Sequence, residues 1–496
     1  MAISRRTLLG AGLATLSGSM LSSLAPAQVR RALGNKGPKN VIFCVADGMA
    51  MQTLAMADVF QQVVHGHSSY WVRLMNEPYA VNGLQSTRSL SSVVTDSAAA
   101  SAAWGSGVHI WNGQLNILPD DTPLRTLTSL VSENGVRCGL VTTTTISHAT
   151  PAGFAVVCDS RGKEAEIVDN YLTAGVDVIM GGGDRFCNPT KRPDRKDAYA
   201  AFAAQGFQVV KTRDEVLAAT GKKILGVFGD SHLPFTVDQQ NSEQITREVP
   251  TLAEMTRVAL RSLQGSPNGF LLQIEGGKVD HAAHANDLAG MFYDQIAFEE
   301  AVKVAVEFAL EDGETLVIVT SDHATGGPSL NGDGDEYFDT TAALENFANF
   351  KCSFGPLSTA IGRTPTRDHV IEVHKEMMGI TLTAEEADVL LAALAGNSPF
   401  KASGFHGTLN AALAMIHGNH TKVTWTSGNH THEHVMVTAV GPGAHLMAGL
   451  TPNIRFFDVL TGVFDVHHEN PSMSFEDAMR VRASASTMPD VTGHWL

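Results

Sequence analysis

Basic residues are in short supply. Lysine and arginine total 35 in a chain of 496 residues, against 51 aspartates and glutamates, for a formal charge of −16. No basic stripe stands out that would neutralise a phosphate backbone, which excludes a nucleic-acid-binding scaffold. Cysteine is scarce as well. Cys44, Cys138, Cys158, Cys187 and Cys352 are odd in number and widely scattered, with no CxxC pair. That excludes a disulfide framework and a zinc ribbon, and it leaves at least one thiol free within a monomer. Cys44 and Cys138 lie in apolar runs and are expected to be buried and inert; a Cys158–Cys187 bridge has no supporting signal. Beyond the first thirty residues no apolar run is long enough for a membrane span. Internal repeats and low-complexity linkers are also missing.

The N-terminus has the layout of an export signal. Ser4-Arg5-Arg6-Thr7 supplies a charged start, a Gly- and Ser-containing apolar run reaches about Leu24, and Ala25-Pro26-Ala27 offers a cleavage site. The paired arginines match a twin-arginine signal, so residues 1–27 are expected to be removed on export to the periplasm or the medium. The remainder, 28–496, reads as one catalytic domain; 44% of the residues are hydrophobic, enough for a large buried core.

Chemistry-bearing residues recur at the ends of apolar runs. Asn40–Val45 is a strand ending at Ala46-Asp47-Gly48. Val136–Val141 is another, running into Thr142–Thr145 and then a loop, Ile146–Gly153, that carries His148 and Thr150; Arg161 follows. Gly175–Met180 is a strand closed by Gly181-Gly182-Gly183, read as a tight turn because no helix-opening lysine follows. Phe270–Ile274 ends at Glu275-Gly276-Gly277, and a helix beginning at Lys278 places Asp280 and His284 four apart on one face, His281 beside them. Glu314–Thr320 ends at Ser321-Asp322-His323. His430-Thr431-His432-Glu433-His434 precedes the strand Val435–Val440. An acid at the tip of a buried strand lies where open α/β sheets bind their ligands.

The stretch Val93–Ala103 stands apart. Two β-branched residues lead into Thr95-Asp96-Ser97, and small helix formers follow. That predicts an extended segment turning into a helix at Ser97, where unpaired N–H groups and the helix dipole favour an anion. Strands alternating with helical stretches give the fold class: α/β, a central, largely parallel sheet flanked by helices, its acidic and histidine tips along one edge. No such tip falls between His323 and His430, a gap too long for a loop. Residues 328–425 are therefore expected to form an inserted, mostly helical subdomain over the site or at a subunit contact. Its helices are predicted from Thr364-Pro365 to about Met378, from Thr383 with Glu386 in capping-box spacing, and over Phe405–His417.

Together these residues resemble the alkaline phosphatase family. The resemblance rests on Asp47-Gly48, Thr95-Asp96-Ser97-Ala98-Ala99, Thr150-Pro151-Ala152, Glu275 with Asp280 and His284, Asp322-His323, and His430-Thr431, in that order. It implies an alkaline phosphatase-like fold with a cap- or crown-like insertion, and hydrolysis of small phosphomonoesters through a covalent phosphoserine. It also implies two zinc ions and one magnesium ion per subunit, and a homodimer. By resemblance Ser97 is the nucleophile and Arg161 grips the phosphate. Asp280, His284 and His430 hold one zinc; Asp47, Asp322 and His323 hold the other; Asp47, Thr150 and Glu275 hold magnesium. Asp96, His148 and His281 brace these groups or contact phosphate. A histidine at 148 beside an oxygen-rich site leaves two readings of the third metal, magnesium with His148 behind it, or zinc or cobalt. His432 and His434 have no motif role and are expected either to face solvent or to stand behind the metal ligands.

Two other readings compete. A phosphodiesterase or phosphotransferase would use the same scaffold, but Arg161 favours monoesters, since a diester has one fewer charged oxygen. A non-catalytic phosphate- or metal-binding protein would have no need of Ser97 and Arg161 together. The Cys/Ser-x-Pro-x-Arg motif of a sulfatase is absent from the sequence.

Overall fold

The computed structural model describes residues 37–484. The export signal read over residues 1–27 lies outside them. In chain order the first strands are β1 (Asn40–Ala46), β2 (Ala80–Ser86), β3 (Arg137–Thr145), β4 (Val178–Gly182), β5 (Gln208–Val210), β6 (Ile224–Val227), β7 (Phe270–Gly276) and β8 (Thr315–Thr320). The short strands β9 (Ala324–Thr325), β10 (Pro328–Leu330), β11 (Val423–Trp425) and β12 (His430–Thr431) lie outside the main sheet, which β13 (Val435–Val440) and β14 (Gly449–Pro452) rejoin. The sheet has ten strands in the order β14-β2-β13-β8-β1-β7-β3-β4-β6-β5. From β8 to β5 all neighbours are parallel, and β13 runs antiparallel to both β2 and β8.

Both faces of the sheet are covered, which explains why its strands read as unbroken apolar runs. Along β1, Ile42, Cys44 and Ala46 join the core on one face, with Phe292 and Phe298 of the long helix Leu288–Asp312. Val41, Phe43 and Val45 point the other way, onto Trp104 of the helix Ser97–Ser106 and Phe456 of the helix Arg455–Val463. The register aligns the strand ends: Val45 lies opposite Glu275 of β7 and Thr320 of β8, and Thr142 of β3 lies opposite Glu275. The residues that follow these strands therefore leave the sheet at one level.

Some local expectations change. Within the predicted loop Ile146–Gly153, residues Ala149–Gly153 form a short helix, too brief to leave a periodic signal. The glycine run is not a turn. Gly181 and Gly182 continue β4, where a Cβ on Gly182 would collide with the Ser231 carbonyl; only Gly183 turns the chain, at φ +105°. All five cysteines are free and buried, so Cys158 and Cys187 are not bridged.

The chain leaves the body along β10 and returns along β11, which pair antiparallel with Pro328 opposite Trp425. Between them lie helices at Phe338–Leu344, Phe354–Ile361, Arg367–Met378, Ala384–Leu394 and Leu409–Thr421. The third begins two residues later than predicted, because the side chain of Thr366 caps it by accepting from His369 N. The fourth carries the expected Thr383/Glu386 capping box. The last begins after Thr408, whose side chain accepts from Ala411 N, rather than at Phe405. The insertion shares the body's core: Phe347, in the short turn of helix Glu345–Asn349, packs against Phe60 and Phe292, and Asp287 of the body accepts from Phe354 N at 2.6 Å.

Candidate active site and metal centre

Ser97 opens the helix Ser97–Ser106, and the residue before it, Asp96, is the cap: its Oδ1 accepts from Ala99 N at 2.9 Å. The alanines that follow are small for a reason. The helix is buried along its whole length, and a Cβ on Gly105 would collide with the carbonyl of Gly153 in the helix Ala149–Gly153. Ser101 Oγ donates to the Thr150 carbonyl at 2.6 Å, locking the two helices together. Ser97 and Thr150 are thus placed by one close helix contact, and both are fully buried.

Three of the strand tips supply acids. Asp47 follows β1, Glu275 ends β7 and Asp322 follows β8, all three with no exposed surface. Gly48 turns the chain at φ +68°, and a Cβ there would meet the Asp280 carboxylate, so only glycine lets β1 end this close to the helix Lys278–His284. Asp322 Oδ1 accepts from both Gly48 N and His323 N at 2.9 Å, which ties two tips together. The ladder of β12 with β9 pairs His430 with Thr325 and stacks the His430 ring on His323, centroids 3.7 Å apart.

The resulting side chains fall into three groups able to hold a cation: Asp280, His323 and His430; Asp47, Asp322 and His323; Asp47, His148 and Glu275. Asp47 and His323 each belong to two. His323 Nε2 lies 3.0 Å from Asp322 Oδ2, 3.7 Å from Asp47 Oδ1 and 3.2 Å from Ser97 Oγ, so the serine hydroxyl sits at the edge of the second group. His284 Nε2 lies 3.3 Å from Asp280 Oδ2, as their spacing on one helix predicts, and His430 Nε2 lies 3.7 Å from Asp280 Oδ1. The second nitrogen of each ring is tied to backbone, His284 Nδ1 to Gly428 O at 2.7 Å and His430 Nδ1 to Thr95 O at 2.8 Å. Such bonds orient an imidazole for a metal.

The donor set fits metal binding on its own chemistry. Asp47 Oδ1, Glu275 Oε1 and His148 Nδ1 are buried and have no hydrogen-bond partner among the described residues. Four carboxylates close together and out of water are costly unless a cation compensates them. Their titration reflects this crowding. Burial, reinforced by Asp322, Asp280 and Glu275, pushes Asp47 well above the usual carboxylate range. Burial also acts on Asp280, but His284, His430 and His323 outweigh it and hold that group well below. Burial, then His323, holds His430 well below the ordinary imidazole value.

The third group mixes donors. Thr150 Oγ1 donates to Asp47 Oδ2 at 3.1 Å, while His148 Nδ1 stands 3.4 Å from Glu275 Oε1. His148 Nε2 is 3.1 Å from Arg161 Nη2, and Arg161 Nη1 donates to Asp96 Oδ2 at 3.2 Å. Arg161 is thus brought to the site on the loop between the helices Ala149–Gly153 and Glu164–Asn170, only 5% exposed. His281 packs on His148 with ring centroids 5.4 Å apart.

Sequence reasoning passed over four neighbours. Thr325 Oγ1 donates to Asp280 Oδ1 at 2.6 Å and touches His323 Nδ1 at 3.3 Å. Thr142 and Thr144 both donate to Glu275 Oε2. Thr142 and Thr144 are two apart on β3, a strand-period signal that was available. His232, from the loop after β6, packs 4.4 Å from His281 and accepts from Thr145 N; nothing in its surroundings in sequence marks it. His432 and His434 are exposed.

With this geometry in place, comparison with known proteins is specific. Residues 38–465 match the family model for alkaline phosphatase. Alkaline phosphatase 3 of Bacillus subtilis is 29% identical over 460 residues, covering 89% of this chain and 94% of the relative. The crystal structure of Thermus thermophilus alkaline phosphatase superposes with a TM-score of 0.87 at 32% identity, covering 98% of this chain and all of that one. A cold-active alkaline phosphatase from a psychrophilic Shewanella gives 0.72 at 26% identity, over 86% of this chain and 99% of its own. A match over most of the chain, in sequence and in fold, places this protein in the alkaline phosphatase family of phosphomonoester hydrolases.

Proposed function

We propose that this protein hydrolyses phosphate monoesters in two displacements, with Ser97 as the nucleophile. The observation that carries this is the position of the Ser97 hydroxyl, at a helix N-terminus and 3.2 Å from His323 Nε2, where the cation-binding groups meet. Asp280, His284 and His430 would hold one zinc, Asp47, Asp322 and His323 a second, and Asp47, Thr150 and Glu275 a magnesium. When bound, these ions supply Lewis-acid chemistry: they lower the pKa of a hydroxyl and offset charge on the phosphoryl oxygens.

The chain's own residues do the rest. The Ser97 hydroxyl gives up its proton to solvent as its Oγ–phosphorus bond forms and the ester P–O bond breaks, and the departing alkoxide takes up a proton from solvent to leave as the alcohol. Water then cleaves the phosphoserine and returns the Ser97 hydroxyl and inorganic phosphate. Arg161 presents a planar fork to two phosphoryl oxygens, and Asp96 holds it in register. The N–H groups of the helix opened by Ser97 add an oriented positive field.

A second occupant of the third group, zinc or cobalt in place of magnesium, is favoured by the imidazole nitrogen of His148 beside Glu275. The export signal, a homodimer and a cap-like role for residues 328–425 belong to the same reading and rest on the sequence pattern and the resemblance. The test is hydrolysis of p-nitrophenyl phosphate beside bis-p-nitrophenyl phosphate at alkaline pH, before and after chelation and zinc/magnesium add-back. Fast monoester cleavage, lost on chelation, restored by the metals and abolished in Ser97→Ala, is expected. Faster diester cleavage would move the protein to the phosphodiesterase reading, and full turnover by Ser97→Ala would remove the assigned nucleophile.

A further inference from the structure

A cavity of about 270 Å³ opens beside His284 and His430, between the loop Ser92–Asp96 and the loop Ser427–His430. It lies beside His284 and His430 on the Asp280 side, whereas Ser97 Oγ contacts His323, which the Asp280 group shares with the group of Asp47 and Asp322. In an in-line displacement the attacking and leaving oxygens occupy opposite apices of phosphorus. With Ser97 at one apex, the ester alcohol departs towards the other group, and this cavity is the space beside it.

Its walls are stiff. Asn112 braces the first loop, its Oδ1 accepting from Asp96 N at 3.1 Å and its Nδ2 donating to Val94 O at 3.1 Å. The second loop is held by Asn286, which donates to Ser427 O at 2.7 Å, and the His430 bond to Thr95 O links the two walls. Asn429 has its backbone fixed, N–H to Ser427 Oγ at 3.0 Å and carbonyl from Gly326 N at 2.9 Å. Asn429 is an exposed residue of the cavity lining, and its side chain makes no hydrogen bond to another described residue. No lysine, arginine, tyrosine, tryptophan or phenylalanine lines the space, so it offers nothing to a second anion and no stacking surface to a planar ring.

On the phosphomonoesterase reading above, we infer that this cavity is the alcohol subsite and that Asn429 selects leaving groups bearing a further hydroxyl near the ester carbon. A carboxamide presents a donor and an acceptor side by side, the complement of a hydroxyl. The volume, about 270 Å³, accommodates a compact alcohol such as a small polyol. Preset walls spare the ordering cost that would otherwise cancel one hydrogen bond.

Glycerol 1-phosphate and n-propyl phosphate test this on the metal-loaded full chain, because they share a three-carbon alcohol and differ in its hydroxyls. The readout is the ratio of their kcat/KM values. That ratio is expected to fall about fivefold to tenfold in Asn429→Ala, the worth of one neutral hydrogen bond, and to recover in part in Asn429→Ser, which restores a donor and acceptor. Zinc content measured on each variant identifies loss of metal, which lowers both substrates alike and leaves the ratio alone. An unchanged ratio in Asn429→Ala with zinc retained overturns the assignment. Failure of the wild-type protein to turn over either ester overturns the phosphomonoesterase reading instead.

Discussion

Arg161 offers the sharpest test of how the site recognises phosphate. Its guanidinium lies between Asp96 Oδ2 at 3.2 Å and His148 Nε2 at 3.1 Å, almost out of contact with solvent. Arg161→Lys keeps the charge but replaces the two-pronged fork by a point donor on a shorter reach. Asp96 is not stranded by the change, because its two oxygens still accept from Ala99 N and Gly113 N, each at 2.9 Å. The helix opened by Ser97 therefore stays capped, and the loss falls on substrate rather than on folding. One charge-assisted hydrogen bond to a phosphoryl oxygen contributes about 1.5–3 kcal/mol, so kcat/KM for p-nitrophenyl phosphate should drop by about 10- to 150-fold. The loss on bis-p-nitrophenyl phosphate should be smaller, since a diester presents one fewer charged oxygen. Inhibition by inorganic phosphate should weaken in step with the monoester. Equal losses on monoester and diester, or a monoester loss within twofold, would refute the clamp and leave Arg161 as a brace for His148.

Three further outcomes follow from the geometry. Gly48→Ala puts a side chain at φ +68° and into the Asp280 carboxylate; about 1–2 kcal/mol of strain and reduced zinc content are expected, read by calorimetry and metal analysis, and unchanged values of both contradict the close approach. Burial raises Glu299 from 4.5 to about 7 while its carboxylate accepts from Trp71 N at 2.9 Å. A carboxyl held higher when folded loses stability as pH rises through that interval, so Glu299→Gln should stabilise by about 3 kcal/mol at about pH 8 and by far less near pH 5; a pH-independent effect in thermal melts would contradict it. Removing the metals should lower Tm at constant pH by several degrees, given about 4 kcal/mol per site at a thousandfold excess over Kd, with full recovery on add-back; an unchanged Tm in protein verified to be metal-free would separate the cations from folding.

Much of the site was legible because buried parallel strands read as apolar runs that stop abruptly. Where such a run stops at Asp47, Glu275 or Asp322, the polar residue has no place in the core and every reason to be at a ligand edge. Helical spacing likewise joined Asp280 to His284. His430 and Thr150 were assigned by resemblance to known motifs rather than by any period, and the contacts that place them, like those that bring in Thr325 and His232, left no pattern in the sequence. Thr325 reaches Asp280, and His430 reaches His323, through a two-residue ladder, too short to show as alternation. Thr150 sits on a five-residue helix whose only sequence trace is a proline near its start. His232 arrives from the loop after β6, and no local feature of that loop names its partner. In the insertion, helix starts were set by which threonine won the cap, Thr366 and Thr408, a choice among several nearby candidates that propensity does not resolve.

The arrangement of acids explains why one sheet edge suffices for a reaction with a direction. β1 lies between β7 and β8, so Asp47 at its tip is flanked by Glu275 on one side and Asp322 on the other. A single carboxylate can therefore serve two groups, and His323, adjacent in sequence to Asp322, carries the line onward to Asp280 and His430. The row is held at several points: Asp47 and Glu275 by central strands, Asp322 by the N–H of Gly48, Asp280 by the Thr325 hydroxyl and His430 by the Thr95 carbonyl. Ser97 enters the row from the helix side, beside His323. The open space lies further along, beside His284 and His430. On the proposed mechanism, nucleophile and exit would be separated along the row by the order of the strands, since Ser97 contacts His323 while the open space lies beside His284 and His430.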